Sequence, residues 1–226
     1  MFAGADNAVQ FTIVTSAGEH LTANAYQYSD LFWALRGGGG GTYGVVTSVS
    51  YQTHPANPLV RATFEATVDS TNAAPPSSLL KTLFTEFVRL TPFLSDSGWA
   101  GYPELLFLSP ESQTFTFTLL NPHSEAEANA TIGPYFDYAR SLAANASILG
   151  GDQLTVNSAS TFAPQLFRDF ERQFIRPDTS ETGVILEITS RLLPRTLIEE
   201  DYVRVADTLL NQGPAVSYMW VSLHSH

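Results

Sequence analysis

The spacing of apolar and polar positions divides the chain into short, regular pieces. Gln10 to Val14 alternates loosely, Ser16-Ala17-Gly18 reads as a turn, and Glu19 to Ala23 returns as a second strand, so this stretch predicts a hairpin. Asp30 to Arg36 reads as a short helix that Ser29 or Asp30 can cap. Val45 to Tyr51 is rich in β-branched residues and reads as a strand. His54-Pro55-Ala56-Asn57-Pro58 is a polar stretch broken by prolines and marks a boundary, giving expected domains of residues 1–56 and 57–226.

Beyond the boundary the periods lengthen. Arg61 to Val68 alternates, with Ala62, Phe64, Ala66 and Val68 on one face of a half-buried strand. Leu79, Leu80, Leu83, Phe84, Phe87 and Val88 form one broad stripe, so Leu79 to Leu90 is a predicted helix that Thr91-Pro92 should end. Trp99 to Leu108 and Thr114 to Leu120 read as strands around Ser109-Pro110-Glu111-Ser112. In the second, the threonines 114, 116 and 118 face one way and Phe115, Phe117 and Leu119 the other. Ser124 and Glu127 form a capping box, and Gly133-Pro134 should bend or break the helix it opens, leaving a second segment from Pro134 to Ala144. Gly150-Gly151 marks a loop, and Pro164 to Phe174 has helical spacing in Leu166, Phe167, Phe170 and Phe174. Gly183 to Leu193 reads as a strand, Thr196 with Glu199 as a second capping box for a helix stopping near Asn211-Gln212-Gly213, and Ala215 to Leu223 as a last strand. Strands with half-polar faces between helices predict an α+β fold, an antiparallel sheet with helices on one face.

Composition narrows the chemistry. The apolar share of 44% allows a core of ordinary size. Asp and Glu number 22 against 11 Lys and Arg, with Lys81 the single lysine, so the net charge of -11 repels nucleic acid and anionic membrane and makes neither an expected partner. No apolar run approaches the roughly eighteen residues of a membrane span, and the amino end lacks the basic start and apolar core of a signal peptide. Without cysteine there is no disulfide, thiolate metal site or cysteine nucleophile. The histidines, His20, His54, His123, His224 and His226, lack a zinc-enzyme spacing, no metal is expected, and no G-x-S-x-G elbow occurs.

One run stands apart: Asp30-Leu31-Phe32-Trp33-Ala34-Leu35-Arg36, five glycines from Gly37 to Gly41, then Thr42-Tyr43-Gly44-Val45-Val46-Thr47-Ser48. Five consecutive glycines carry a large entropic cost that an ordinary turn does not need, so the loop reads as bare backbone facing a ligand or another chain segment. Gly39 to Gly44 satisfies G-x-G-x-x-G, but a dinucleotide turn needs strand, glycines, helix, and here the order is reversed. With few cationic side chains, a bound phosphate would be held mainly by backbone N–H groups.

The same run resembles the FAD-linked oxidases of the PCMH type, the berberine bridge enzyme-like group, with about eighteen residues in register. The resemblance implies that residues 1–56 are the C-terminal part of an FAD-binding domain and that Gly41, Gly44, Val45 and Val46 lie against FAD. It implies that residues 57–226 are a substrate-binding domain, incomplete at its C-terminus, whose open sheet face roofs the flavin. Substrate contacts are expected from the polar and aromatic positions Tyr102, Thr116, Glu187, Tyr218 and Trp220. The implied activity is oxidation of a small organic molecule (a sugar, an alkaloid or a polyketide-derived alcohol), with molecular oxygen as the implied electron acceptor. The catalytic base is not assigned, and a covalent histidine link would sit in an earlier motif that is absent from this sequence. Family members run to about twice this length, so a truncated chain is expected. The sequons at Asn129 and Asn145 matter only in a secreted parent, which the resemblance suggests. A second reading stays open, a non-catalytic small-molecule-binding or dimerisation module derived from such an enzyme.

Overall fold

The computed structural model describes residues 4–39, 41–69, 76–107, 111–146, 152–175, 192–211 and 215–217. The chain divides into two compact units, Met1–Ala56 and Asn57–His226, at the proline-flanked boundary.

Unit 1 is a three-stranded antiparallel sheet in the order β2-β1-β3, with β1 Ala8–Val14, β2 His20–Asn24 and β3 Val45–Tyr51. Gly18, at φ 79, turns the hairpin, its amide donating to the Thr15 carbonyl at 2.9 Å. Helix α1, Ser29–Leu35, packs Phe32 against Phe11 with ring centroids 5.9 Å apart. Neither Ser29 nor Asp30 caps α1, contrary to the sequence expectation. Asn24 instead shapes the entry, its Oδ1 accepting from the Tyr26 and Gln27 amides at 2.9 Å, and Tyr28 takes the N-cap position in the left-handed region at φ 47. The buried apolar residues described in this unit are Ala8, Ile13, Ala23 and Phe32.

Unit 2 is a five-stranded antiparallel sheet in the order β7-β4-β6-β5-β8. The strands are β4 Pro58–Asp69, β5 Ala100–Phe107, β6 Ser112–Asn121, β7 Gln153–Leu166 and β8 Ala215–Ser217. The alternation predicted in β4 and β6 holds: Val60, Ala62, Phe64, Ala66, Val68, Phe115, Phe117 and Leu119 are all buried. Helices α2, Ser78–Asp96, and α3, Glu125–Asn145, pack on that face, with Phe84, Phe87 and Tyr135 ringed around Phe64, Phe115 and Phe117 at centroid distances of 5.0–6.0 Å. The Tyr135 hydroxyl donates to the Leu83 carbonyl at 3.1 Å, and full burial pushes its pKa well up.

Several sequence expectations need correction. Helix α2 does not stop at Thr91-Pro92, because the Thr91 hydroxyl donates to the Val88 carbonyl that Pro92 leaves without an amide partner, at 2.8 Å. It ends instead at Gly98, φ 83, where the Trp99 amide reaches the Leu94 carbonyl and the Gly98 amide the Ser95 carbonyl, both at 3.0 Å. Helix α3 opens with the predicted capping box but runs through Gly133-Pro134 unbroken. Gln153 to Leu166, part of it expected to be helical, is a strand paired along β4, and only the short helix α4, Phe167–Phe170, follows it before a π turn. Helix α5, Arg195–Leu210, begins at Pro194 without a Thr196–Glu199 box, since Glu199 pairs with Arg195 Nε at 2.6 Å. The strand expected at Gly183–Leu193 lies outside the described residues except for Leu192 and Leu193, which are not strand, and so does the part of the last strand beyond Ser217.

Candidate functional site

The glycine run follows α1 directly. The amides of Gly37 and Gly38 both return to the Ala34 carbonyl, at 3.4 and 2.8 Å, and the Thr42 hydroxyl donates to the Gly38 carbonyl at 3.0 Å. The glycines then divide into two kinds. At Gly38 and Gly44 the space is taken: an added Cβ would stand 2.4 Å from the Tyr43 ring or 2.3 Å from the Val14 carbonyl. At Gly41, φ 74, it would meet no atom within 4 Å. Of the two glycines the resemblance points to, Gly44 is accounted for by the packing of the loop on β1, whereas Gly41 presents open backbone.

Val45 and Val46 follow on β3 and are 69% and 43% exposed. All seven residues of β3 are exposed. Opposite β1 the strand carries a bulge, because Ser48 pairs with Thr12 and Val46 with Ile13, which leaves Thr47 over; its hydroxyl donates to the Thr12 carbonyl at 3.1 Å. An aliphatic pair in water beside an open, positive-φ glycine suits the edge of a flat ring system, since contact there removes apolar surface from water without a side chain in the way.

A separate cavity of about 610 Å³ on unit 1 is lined by Asp6, Gln10, Asn24, Tyr26, Phe32 and Arg36 among others, and by none of Gly41, Gly44, Val45 or Val46. Arg36 lies over the Phe32 ring at 5.0 Å. The sequence analysis did not single it out, and only its place at the end of the motif could have drawn attention to it.

In unit 2 the face of the sheet opposite the helices is polar. The register sets Ser158, Glu65, Thr116 and Glu104 side by side across β7, β4, β6 and β5, and Ser160, Thr63, Thr118 and Tyr102 in the next row. Tyr102 and Thr116, both expected on the substrate side, are therefore on the same face, and Tyr102 is exposed. The Thr116 hydroxyl donates to the Phe64 carbonyl at 2.9 Å, so toward a ligand it offers lone pairs only. Glu187, Tyr218 and Trp220 lie outside the described residues. The sequence analysis missed Asn157, which a bulge in β7 turns onto this face, where its amide donates to Glu65 Oε1 at 3.0 Å and Thr67 Oγ1 at 2.9 Å. It also missed Arg61, stacked on Phe162 at 4.0 Å, whose pKa is lowered by burial. Neither pairing has a local sequence marker, because each depends on strands about a hundred residues apart being laid together.

No protein-family model matches the chain. The fold is shared with the crystal structure of the VAO-type flavoprotein MtVAO615 from Myceliophthora thermophila, at a TM-score of 0.57 and 23% identity, covering 92% of this chain and 35% of that one. In sequence, a protein of Arthroderma benhamiae named an uncharacterized FAD-linked oxidoreductase is 34% identical over 201 residues, 86% of this chain and 32% of the relative. The FAD-linked oxidoreductase OXR2 of Pyricularia oryzae is 31% identical over 207 residues, 91% of this chain and 30% of OXR2. The chain thus has a fold found in a VAO-type flavoprotein. It belongs to the FAD-linked oxidoreductases, the family that the Asp30–Ser48 run resembles, and it spans about a third of the length of the curated relatives it matches.

Proposed function

We propose that the chain is the part of an FAD-linked oxidoreductase that closes the cofactor cradle and carries the substrate-binding sheet. Residues 1–56 are the closing part of a PCMH-type FAD-binding domain and residues 57–226 a substrate-binding domain. The observation that carries this reading is the exposed Val45–Val46 pair beside the open backbone of Gly41, in a chain whose relatives are named for FAD.

When bound, FAD would accept a hydride from a small organic substrate, and in the whole protein pass the electrons on to oxygen. The chain's own residues have simpler tasks. Val45 and Val46 shield a ring from water, and the Gly41 backbone lets it approach. Thr116 accepts a hydrogen bond from a substrate hydroxyl or amine. Tyr102 offers an exposed ring and phenol, and Glu104, opposite Thr116 in the register, supplies a carboxylate on the same face that can take a proton.

The test is a titration of the labelled full chain with FAD, followed by amide chemical shifts. Shifts should be centred on Gly41 to Val46, and binding should be weak, because one stretch of a larger cradle supplies few contacts. FAD shifts that leave this stretch untouched, or tight stoichiometric binding elsewhere, would overturn the reading.

A further inference from the structure

Among the described residues, β7 is the outer strand of the unit 2 sheet and pairs with β4 alone. Its 14 residues, Gln153–Leu166, include no Asp, Glu, Lys or Arg. An edge that faces water is normally blunted by charge, proline, bulges or a covering element. Here one bulge at Asn157 and another beside Pro164 interrupt the ladder, and between them Ser158–Phe162 keeps regular register with Arg61–Glu65. Helix α3 attends to that regular stretch. The Arg140 guanidinium donates to the Ala159 carbonyl at 2.6 Å, and the Asn129 Oδ1 accepts from the Thr161 hydroxyl. Asn129 also opens the triplet Asn129-Ala130-Thr131, the acceptor pattern for an N-linked glycan. It is exposed on α3, and its Nδ2 donates to no group among the described residues. The triplet at Asn145 differs, because that Nδ2 donates to the Ser141 carbonyl at 2.8 Å.

We propose that Asn129 is N-glycosylated on passage through a secretory compartment, and that its glycan shields the Ser158–Phe162 edge of β7 from pairing with another strand. In the transfer, Nδ2 attacks C1 of a polyprenyl-diphosphate-linked oligosaccharide. The N–C1 bond forms as C1 parts from the diphosphate, which leaves with the electron pair, and the amide gives up one proton. Oδ1 and the second amide hydrogen are unchanged, so the Thr161 bond survives the modification. Thr131, whose hydroxyl the acceptor pattern requires, serves the fold afterwards by accepting from Trp99 Nε1 at 2.8 Å. Thr161 is the register partner of Ala62, which is buried beneath the helices. The glycan therefore stands on the helical layer and leaves the opposite face, with Tyr102 and Thr116, open to a substrate. The site involves no flavin and stands whether or not the proposed function holds.

In the experiment the full chain is secreted from a yeast behind a cleavable leader, treated with peptide N-glycosidase in heavy-oxygen water and mapped by mass. Each glycan-bearing asparagine is thereby marked as labelled aspartate. Asn129 should carry the label, Asn129→Gln should lose it, and Thr131→Ser should keep it. An unlabelled Asn129 in the secreted chain would overturn the proposal. Shielding is read by light scattering and hydrogen exchange. The glycosylated chain should stay monomeric at concentrations where the glycan-free chain associates and its β7 amides gain protection. The glycan-free chain is taken in two forms, the secreted Asn129→Gln variant and the unsubstituted chain made in a bacterium. The second keeps Asn129 and its bond to Thr161, so the result does not depend on the variant folding. Glycan-free chain that remains monomeric, or that associates without protection at β7, would overturn the proposal equally.

Discussion

Gly41 and Gly44 sit three residues apart in one motif, yet the structure gives them opposite tasks. Gly44 holds φ 139 with the Val14 carbonyl 2.3 Å from where a Cβ would be. Gly44→Ala should therefore cost unit 1 more than about 2 kcal/mol, read as lost hydrogen-exchange protection in β1. Gly41→Ala meets only the left-handed penalty of about 1 kcal/mol, and should lower FAD-induced shifts far more than it lowers stability. The motif was legible in the sequence as a whole, but this division was not, because which glycine faces solvent depends on how the loop lies across β1. Glu127 is a second case at this scale, and here the sequence was sufficient. Its carboxylate accepts from both the Ser124 hydroxyl and the Ser124 amide, and the hydroxyl bond first, then the backbone bond, hold its pKa below the ordinary 4.5. A carboxyl with a depressed folded pKa contributes stability that is present above the unfolded value and lost as pH falls through the folded one. The first turn of α3 should thus stay protected at neutral pH and loosen only below about pH 4.5, and Glu127→Gln should remove that acid step from its exchange profile.

Among the elements, those with strong periodicity were readable and those recruited by their neighbours were not. β3, β4 and β6 have β-branched or aromatic residues at alternate positions, and each formed where the pattern put it. β7, by contrast, mixes Thr, Val and Phe with Asn, Ser, Ala and Pro, residues with little preference for a strand, and forms along its whole length because β4 offers a long edge on which to pair. The prolines misled in the other direction. Both Pro92 and Pro134 lie inside helices, where local preference would end them, and packing of Phe87, Val88, Leu94, Tyr135 and Phe136 into the core outweighs that preference. Pro92 still carries its penalty. Pro92→Ala restores an amide to the Val88 carbonyl and should raise the stability of unit 2 by about 1–3 kcal/mol, measured as a higher urea midpoint at unchanged m-value. No gain would mean that the Thr91 hydroxyl already compensates fully.

At the scale of the whole molecule, the two units differ in what holds them together. Unit 2 buries a continuous cluster of aromatic and aliphatic side chains between sheet and helices. Unit 1 buries Ala8, Ile13, Ala23 and Phe32 among its described residues while leaving Trp33 77% and Val45 69% exposed. A segment of some fifty residues with so small a core is marginal on its own, since short chains bury too small a fraction of their surface to offset ordering. Unfolding should therefore occur in two steps, with the β1 and β3 amides exchanging through an opening of much lower free energy than those of β4 and β6. Removal of residues 1–56 should abolish the first step and leave the second at the same midpoint. FAD in excess should raise the first transition and not the second, because a ligand stabilises only the folded unit to which it binds. A single cooperative transition sensed alike by amides in β1 and β4 would contradict this picture, because the sparse core of unit 1 would then open only together with the dense one.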